Sequence, residues 1–184
     1  MFKSGFVNIV GNPNVGKSTL MNLLVGERIS IATFKAQTTR HRIMGILNTP
    51  GMQICFSDTP GVLKPGYRLQ EQMLQFSESA LQDADVLLYV TDTVEQPDKH
   101  AEFLDKVRRM KVPVLVLINK IDLSDEQALN ALCERWHEAL PEAERLEHPT
   151  YKMIMGGYSV VSEEHLGEVL AWAVEKGLKG EKLH

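Results

Sequence analysis

The chain has 184 residues, 43% of them hydrophobic and 24% charged, which suits one compact domain with a sizeable core. A formal net charge of -4 argues against a surface built to coat nucleic acid, so any RNA contact would need a local basic patch. No signal peptide and no long apolar span is seen, which predicts a cytoplasmic location. Cys55 and Cys133 lie too far apart for a ligand pair and read as free thiols, and the histidines are scattered without ligand spacing.

The first element is a short apolar strand over residues 6–10, followed by Gly11-Asn12-Pro13-Asn14-Val15-Gly16-Lys17-Ser18. This is G-x-x-x-x-G-K-[ST], a phosphate-binding loop, and Leu20, Leu23 and Leu24 then recur at helical spacing. Gly11 and Gly16 allow a tight turn and close approach to a phosphate. Successive backbone N–H groups and the positive end of the following helix face the anion. The candidate phosphate-binding set is Asn12, Pro13, Asn14, Val15, Gly16, Lys17, Ser18 and Thr19. Lys17 is placed to reach the outer phosphates, and the Ser18 hydroxyl to ligate Mg²⁺.

Residues 33–42 are polar, with Lys35, Arg40, His41 and Arg42 around Thr38 and Thr39, and read as a mobile loop. Two strand-like runs at 43–47 and 52–57 flank the turn signal Asn48-Thr49-Pro50-Gly51. The second delivers Asp58-Thr59-Pro60-Gly61, in which Asp58 is placed to hold Mg²⁺ and the Gly61 N–H to sense a terminal phosphate. A loop over 62–68, a helix over 69–81, a buried strand over 86–90 and a helical stretch over 97–110 follow. Lys106, Arg108, Arg109 and Lys111 read as a solvated helix end, with a patch for a partner or RNA as the alternative.

The next buried strand, 114–118, leads into Asn119-Lys120-Ile121-Asp122. A carboxylate at Asp122 matches the ring N–H and amino group of guanine, and adenine would leave it buried and unpaired, so an ATPase reading is opposed here. Asn119 is placed to bridge the base edge and the phosphate loop, and the Lys120 stem to lie along the base plane. A helix over 124–140 with Trp136 inward and His137 outward, a last strand at 151–155 and a last helix at 164–176 complete the chain. The alternation predicts an α/β fold of the P-loop NTPase type, a three-layer sandwich with a mostly parallel six-stranded sheet and one antiparallel edge strand. The ligand belongs at the carboxyl ends of the strands.

These ordered motifs resemble a translation-factor-class GTPase. The wording of 11–22 together with Lys35-Ala36-Gln37-Thr38-Thr39-Arg40-His41-Arg42 is similar to the Era-like family of the TrmE-Era-EngA type. The resemblance implies a Mg²⁺-dependent switch that hydrolyses GTP, with GTP or GDP as the bound nucleotide. It makes Thr39, ahead of Thr38, the threonine that joins Mg²⁺ beside Ser18 and Asp58. It gives Lys17, Thr39, Gly61 and Asn14 catalytic parts, Asn14 by helping to hold K⁺. Ser159 and Val160 fall where a last guanine-contacting loop is expected, with Val160 in place of an alanine. Val62 stands where many small GTPases carry a water-orienting glutamine, which implies slow intrinsic turnover or a guanine-nucleotide-sensing module with almost none. The resemblance further implies 16S rRNA and the 30S subunit as partners through an RNA-binding KH domain that this chain lacks, and a peripheral membrane contact by the longer protein. Residues 1–178 are expected to be a monomeric G domain and 179–184 a polar tail.

Overall fold

Five apolar runs form a single sheet, and the amphipathic segments between them cover both of its faces. The computed structural model describes residues 2–31, 39–63, 65–66, 68–143 and 163–178. The strands are β1 (Lys3–Gly11), β2 (Ile43–Thr49), β3 (Met52–Asp58), β4 (Val86–Asp92) and β5 (Val114–Asn119). The helices are α1 (Lys17–Val25), α2 (Arg68–Gln82), α3 (Ala101–Arg108), α4 (Glu126–Ala139) and α5 (Glu163–Lys176). A 3-10 turn at Pro97–His100 leads into α3, so the helical signal over 97–110 resolves into two pieces.

The strand order is β2-β3-β1-β4-β5. β1 pairs in parallel with β3 and β4, and β4 in parallel with β5, while β2 runs antiparallel to β3 across the two-residue turn Pro50-Gly51. The parallel majority and the antiparallel edge agree with the sequence. Five strands lie among the described residues; the strand expected at 151–155, the loop carrying Ser159 and Val160, and the tail 179–184 lie outside them. Alternate residues of the central strands face opposite layers, as the pleat requires. Ile9, Leu88 and Leu115 meet α1 and α5 through Met21, Leu24, Trp172 and Ala173. Val10, Leu87 and Tyr89 meet α2, α3 and α4 through Ala80, Leu104, Leu132 and Trp136. Trp136 is buried and His137 exposed, as expected.

One polar network crosses this apolar interior and corrects the sequence reading. The mobile loop expected over 33–42 does not extend to Arg42. Its guanidinium makes a two-pronged ion pair with Asp83 just past α2, and donates to Ser57 on β3 and to Asn8 on β1. Asn8, fully buried, also donates from Nδ2 to Ala80 O at 2.6 Å and to Asp83 Oδ1 at 2.7 Å. His41 adds an edge-on ring contact with Phe76 of α2. Asn8→Ala should therefore lower stability by about 2 kcal/mol, because it leaves the buried Ala80 carbonyl without its donor and removes the amide that joins β1 to Arg42 and Asp83. A fall in the urea midpoint at unchanged slope checks it.

Candidate functional site

The loop between β1 and α1 is shaped by backbone conformations that most residues avoid. Gly11 has φ +143°, and a Cβ there would overlap Val90 O. Gly16 has φ +101° and caps α1, while Asn14 holds a left-handed φ of +61°. Lys17 is buried, and its Nζ donates to Asn12 O at 2.6 Å across the loop. Burial pushes its ammonium down to about 8, opposed in part by the charge of Asp58.

The parallel register sets Ile9 of β1 beside Asp58 of β3, which brings the end of β3 against the loop. Ser18 Oγ donates to Asp58 Oδ2 at 2.6 Å, and Thr39 Oγ1 lies 3.1 Å from Ser18 Oγ and 3.4 Å from Asp58 Oδ2. Three residues from separate segments, 18, 39 and 58, thus converge. Asp58 is fully buried, yet its Oδ1 has no hydrogen-bond partner. An all-oxygen donor set with one carboxylate oxygen left over fits a hard cation such as Mg²⁺, with Ser18, Thr39 and Asp58 as the residues to hold it.

The sequence reading missed a third hydroxyl at this carboxylate. Ser30 Oγ, fully buried, donates to Asp58 Oδ2 at 2.7 Å. Asn22 on α1 secures that segment, accepting the N–H groups of Ile29 and Ser30 and donating to Ser30 O. Asn22 four residues after Ser18 was a visible signal; its partner eight residues further on was not.

Beyond Asp58 the chain is drawn against the phosphate loop. Thr59 Oγ1 donates to Ile9 O at 2.8 Å, and Val62 N to Gly11 O at 2.9 Å. A Cβ on Gly61 would come within 2.6 Å of the Pro13 backbone, so no other residue fits there without moving the loop. At the opposite end, Asn119 Nδ2 donates to Val15 O at 2.8 Å, tying the end of β5 to the same loop. Lys120 follows in a left-handed conformation, φ +58°, and caps the 3-10 turn Ile121–Leu123. Asp122 lies in that turn, and its side chain is outside the described residues, as are Lys35 to Thr38 entirely.

A family model described as "50S ribosome-binding GTPase" matches residues 6–120, from β1 through Lys120. The chain belongs to this GTPase family. Its nearest character within the family is Era-like. GTPase Era of Heliobacterium modesticaldum is 42% identical over 146 residues, which cover 76% of this chain and 49% of that protein. A crystal structure of a variant Era from Aquifex aeolicus bound to GDP and AlF₄⁻ superposes with a TM-score of 0.81 at 33% identity, covering all of this chain and 60% of that one. An Era complex with MgGDPNP and nucleotides 1506–1542 of 16S ribosomal RNA gives 0.82 at 32% identity, with the same coverage. The chain is thus an Era-type GTPase domain that spans about half the length of the curated relative it matches. No helix among its described residues is long and apolar enough to cross a membrane.

Two outcomes are expected of this Era-type site. A phosphate favours the ammonium form of Lys17, whose own equilibrium lies at about 8, so nucleotide binding above that pH must take up a proton. GDP affinity should be flat below pH 8 and fall by up to about tenfold per pH unit above it, as calorimetry in two buffers of different ionisation enthalpy would register. Ser30→Ala should weaken GDP binding about fivefold in Mg²⁺ and leave it unchanged in EDTA, because the lost hydroxyl is spent on the Asp58 carboxylate, the group fitted to hold the cation.

Proposed function

We propose that this domain binds GDP and GTP, hydrolyses GTP to GDP and phosphate, and acts as a nucleotide-controlled switch. The observation that carries the reading is the convergence of Ser18, Thr39 and the half-satisfied Asp58 beside the phosphate loop. Mg²⁺ held by these three would neutralise charge on the β- and γ-phosphate oxygens. Lys17 and the loop N–H groups of 14–19 stabilise the charge that develops as water attacks the γ-phosphorus in line and the bond to the β-phosphate oxygen breaks. Gly61 presents its N–H to the terminal phosphate from a backbone already against Pro13. Asn119, tied to Val15 O, sits at the base edge, Lys120 along its plane, and Asp122 on the guanine ring N–H and amino group. Ser159 and Val160 would close the base side by resemblance, and Asn14 would help hold K⁺.

The named Era relatives, and the Era structure that contains 16S rRNA nucleotides, support rRNA and the small ribosomal subunit as partners of a longer protein of this type. On this reading residues 1–178 are the G domain, acting in the cytoplasm in small-subunit assembly. A second reading, a guanine-nucleotide sensor with negligible turnover, is favoured by Val62. That side chain is buried and its N–H is engaged with Gly11 O, so position 62 offers no group to orient water.

GTP hydrolysis with K⁺ or Na⁺ as the sole monovalent salt, measured beside GDP and GTP binding, separates the two. Faster turnover in K⁺ is expected, abolished by Lys17→Ala and reduced by Asn14→Ala. Tight guanine-nucleotide binding without turnover in either salt would instead favour the sensor, and absence of guanine-nucleotide binding would refute both.

A further inference from the structure

Asp92 ends β4 directly beside Asn119 of β5, in register with it. Its carboxylate is almost fully buried and serves two segments at once. Oδ1 accepts the backbone N–H groups of Val94 and Glu95, each at 3.1 Å. Oδ2 accepts Lys120 Nζ at 2.7 Å, an ion pair whose lysine side chain remains one-third exposed.

This arrangement supplies an order that neither segment has by itself. Val94 is 75% exposed, so burial does not hold the turn after β4; the two bonds to Oδ1 do. Lys120 has a left-handed backbone that side chains with a Cβ seldom adopt, and a four-carbon stem with many rotamers. Anchoring the ammonium at Oδ2 selects among those rotamers and holds the stem at a fixed place between the ends of β4 and β5. We propose that Asp92 is a positioning residue for the purine base: through its ion pair it presents the Lys120 stem as one wall of the guanine slot. The inference rests on the guanine-nucleotide reading above and adds to it the residue that pre-forms the slot. Pre-forming matters because a lysine already held loses less freedom when the base arrives.

Two substitutions separate the ion pair from the turn. Asp92→Asn keeps an oxygen of the same reach for Val94 and Glu95 but removes the charge that holds Lys120. Lys120→Met keeps an apolar stem and cannot pair. Binding of GDP and of inorganic pyrophosphate, both with Mg²⁺, would be measured for the wild type, each variant and the double variant. Each single variant should bind GDP about fivefold more weakly, the double variant no more weakly than either, and pyrophosphate should bind all four alike. Asp92→Asn at wild-type GDP affinity, or weakened equally for GDP and pyrophosphate, would overturn the proposal, since a general structural role moves both ligands. Lys120→Met at wild-type affinity would overturn it as well, and this variant decides the matter if Asp92→Asn does not fold. A wild type that binds pyrophosphate and not GDP would refute the guanine reading itself, a result distinct from either variant's failure.

Discussion

A single carboxylate, Asp58, is the point on which three stretches of this chain meet. The hydroxyls of Ser18, Ser30 and Thr39 all approach its Oδ2, while Oδ1 stays buried and unpartnered. A buried oxygen of that kind costs about 1–3 kcal/mol unless something donates to it or coordinates it. The sheet makes the expense unavoidable: β3 lies parallel to β1, so its last residue must end beside the phosphate loop. The site is therefore stored in the topology, and the unmet hydrogen-bonding capacity marks where a ligand belongs.

The other half of the constraint is Lys17. Its ammonium is buried next to the same carboxylate, yet burial outweighs that attraction and pushes its proton affinity down. An anion entering the loop reverses the balance, since it supplies the charge that desolvation removed. Positive and negative groups are thus both under-satisfied within a few residues of one another. Phosphate and a cation together would relieve both.

Much of this was legible in the sequence because it is local. The phosphate loop, the strand that follows into Asp58, and Asn119-Lys120-Ile121-Asp122 each declare themselves within eight consecutive residues, and the helix and strand periods give the layers. What stayed hidden depends on chain segments brought together by folding. Ser30 meets Asp58 across 28 residues, Arg42 meets Asp83 across 41, and Lys120 meets Asp92 across 28. A lone serine four residues past a glycine, or an aspartate ending an apolar run, carries no pattern that reveals its partner. The same limit produced the error at Arg42: a polar stretch without period reads as mobile, and only the folded positions of Asp83, Ser57 and Asn8 show why its last residue is held.

The two ends of the site are built differently, and that difference bears on how such a domain could switch. The base side is secured by bonds among elements of the core sheet: Asn119 to Val15 O, and Lys120 to an aspartate on the neighbouring strand. Nothing there requires a third phosphate, so a nucleoside di- or triphosphate would meet the same wall. The phosphate side gathers Ser30, Thr39 and Gly61 from connecting segments: the two hydroxyls meet the Asp58 carboxylate, and Gly61 lies against the Pro13 backbone. A ligand shifts a conformational equilibrium only by its differential affinity for the two states. On the proposed function, a γ-phosphate would be felt at Thr39 and Gly61 and not at Lys120. On that reading affinity and signal would fall at opposite ends of one loop, and Arg42, bonded to Asp83 and Asn8 three residues beyond Thr39, would anchor the far end of any rearrangement there.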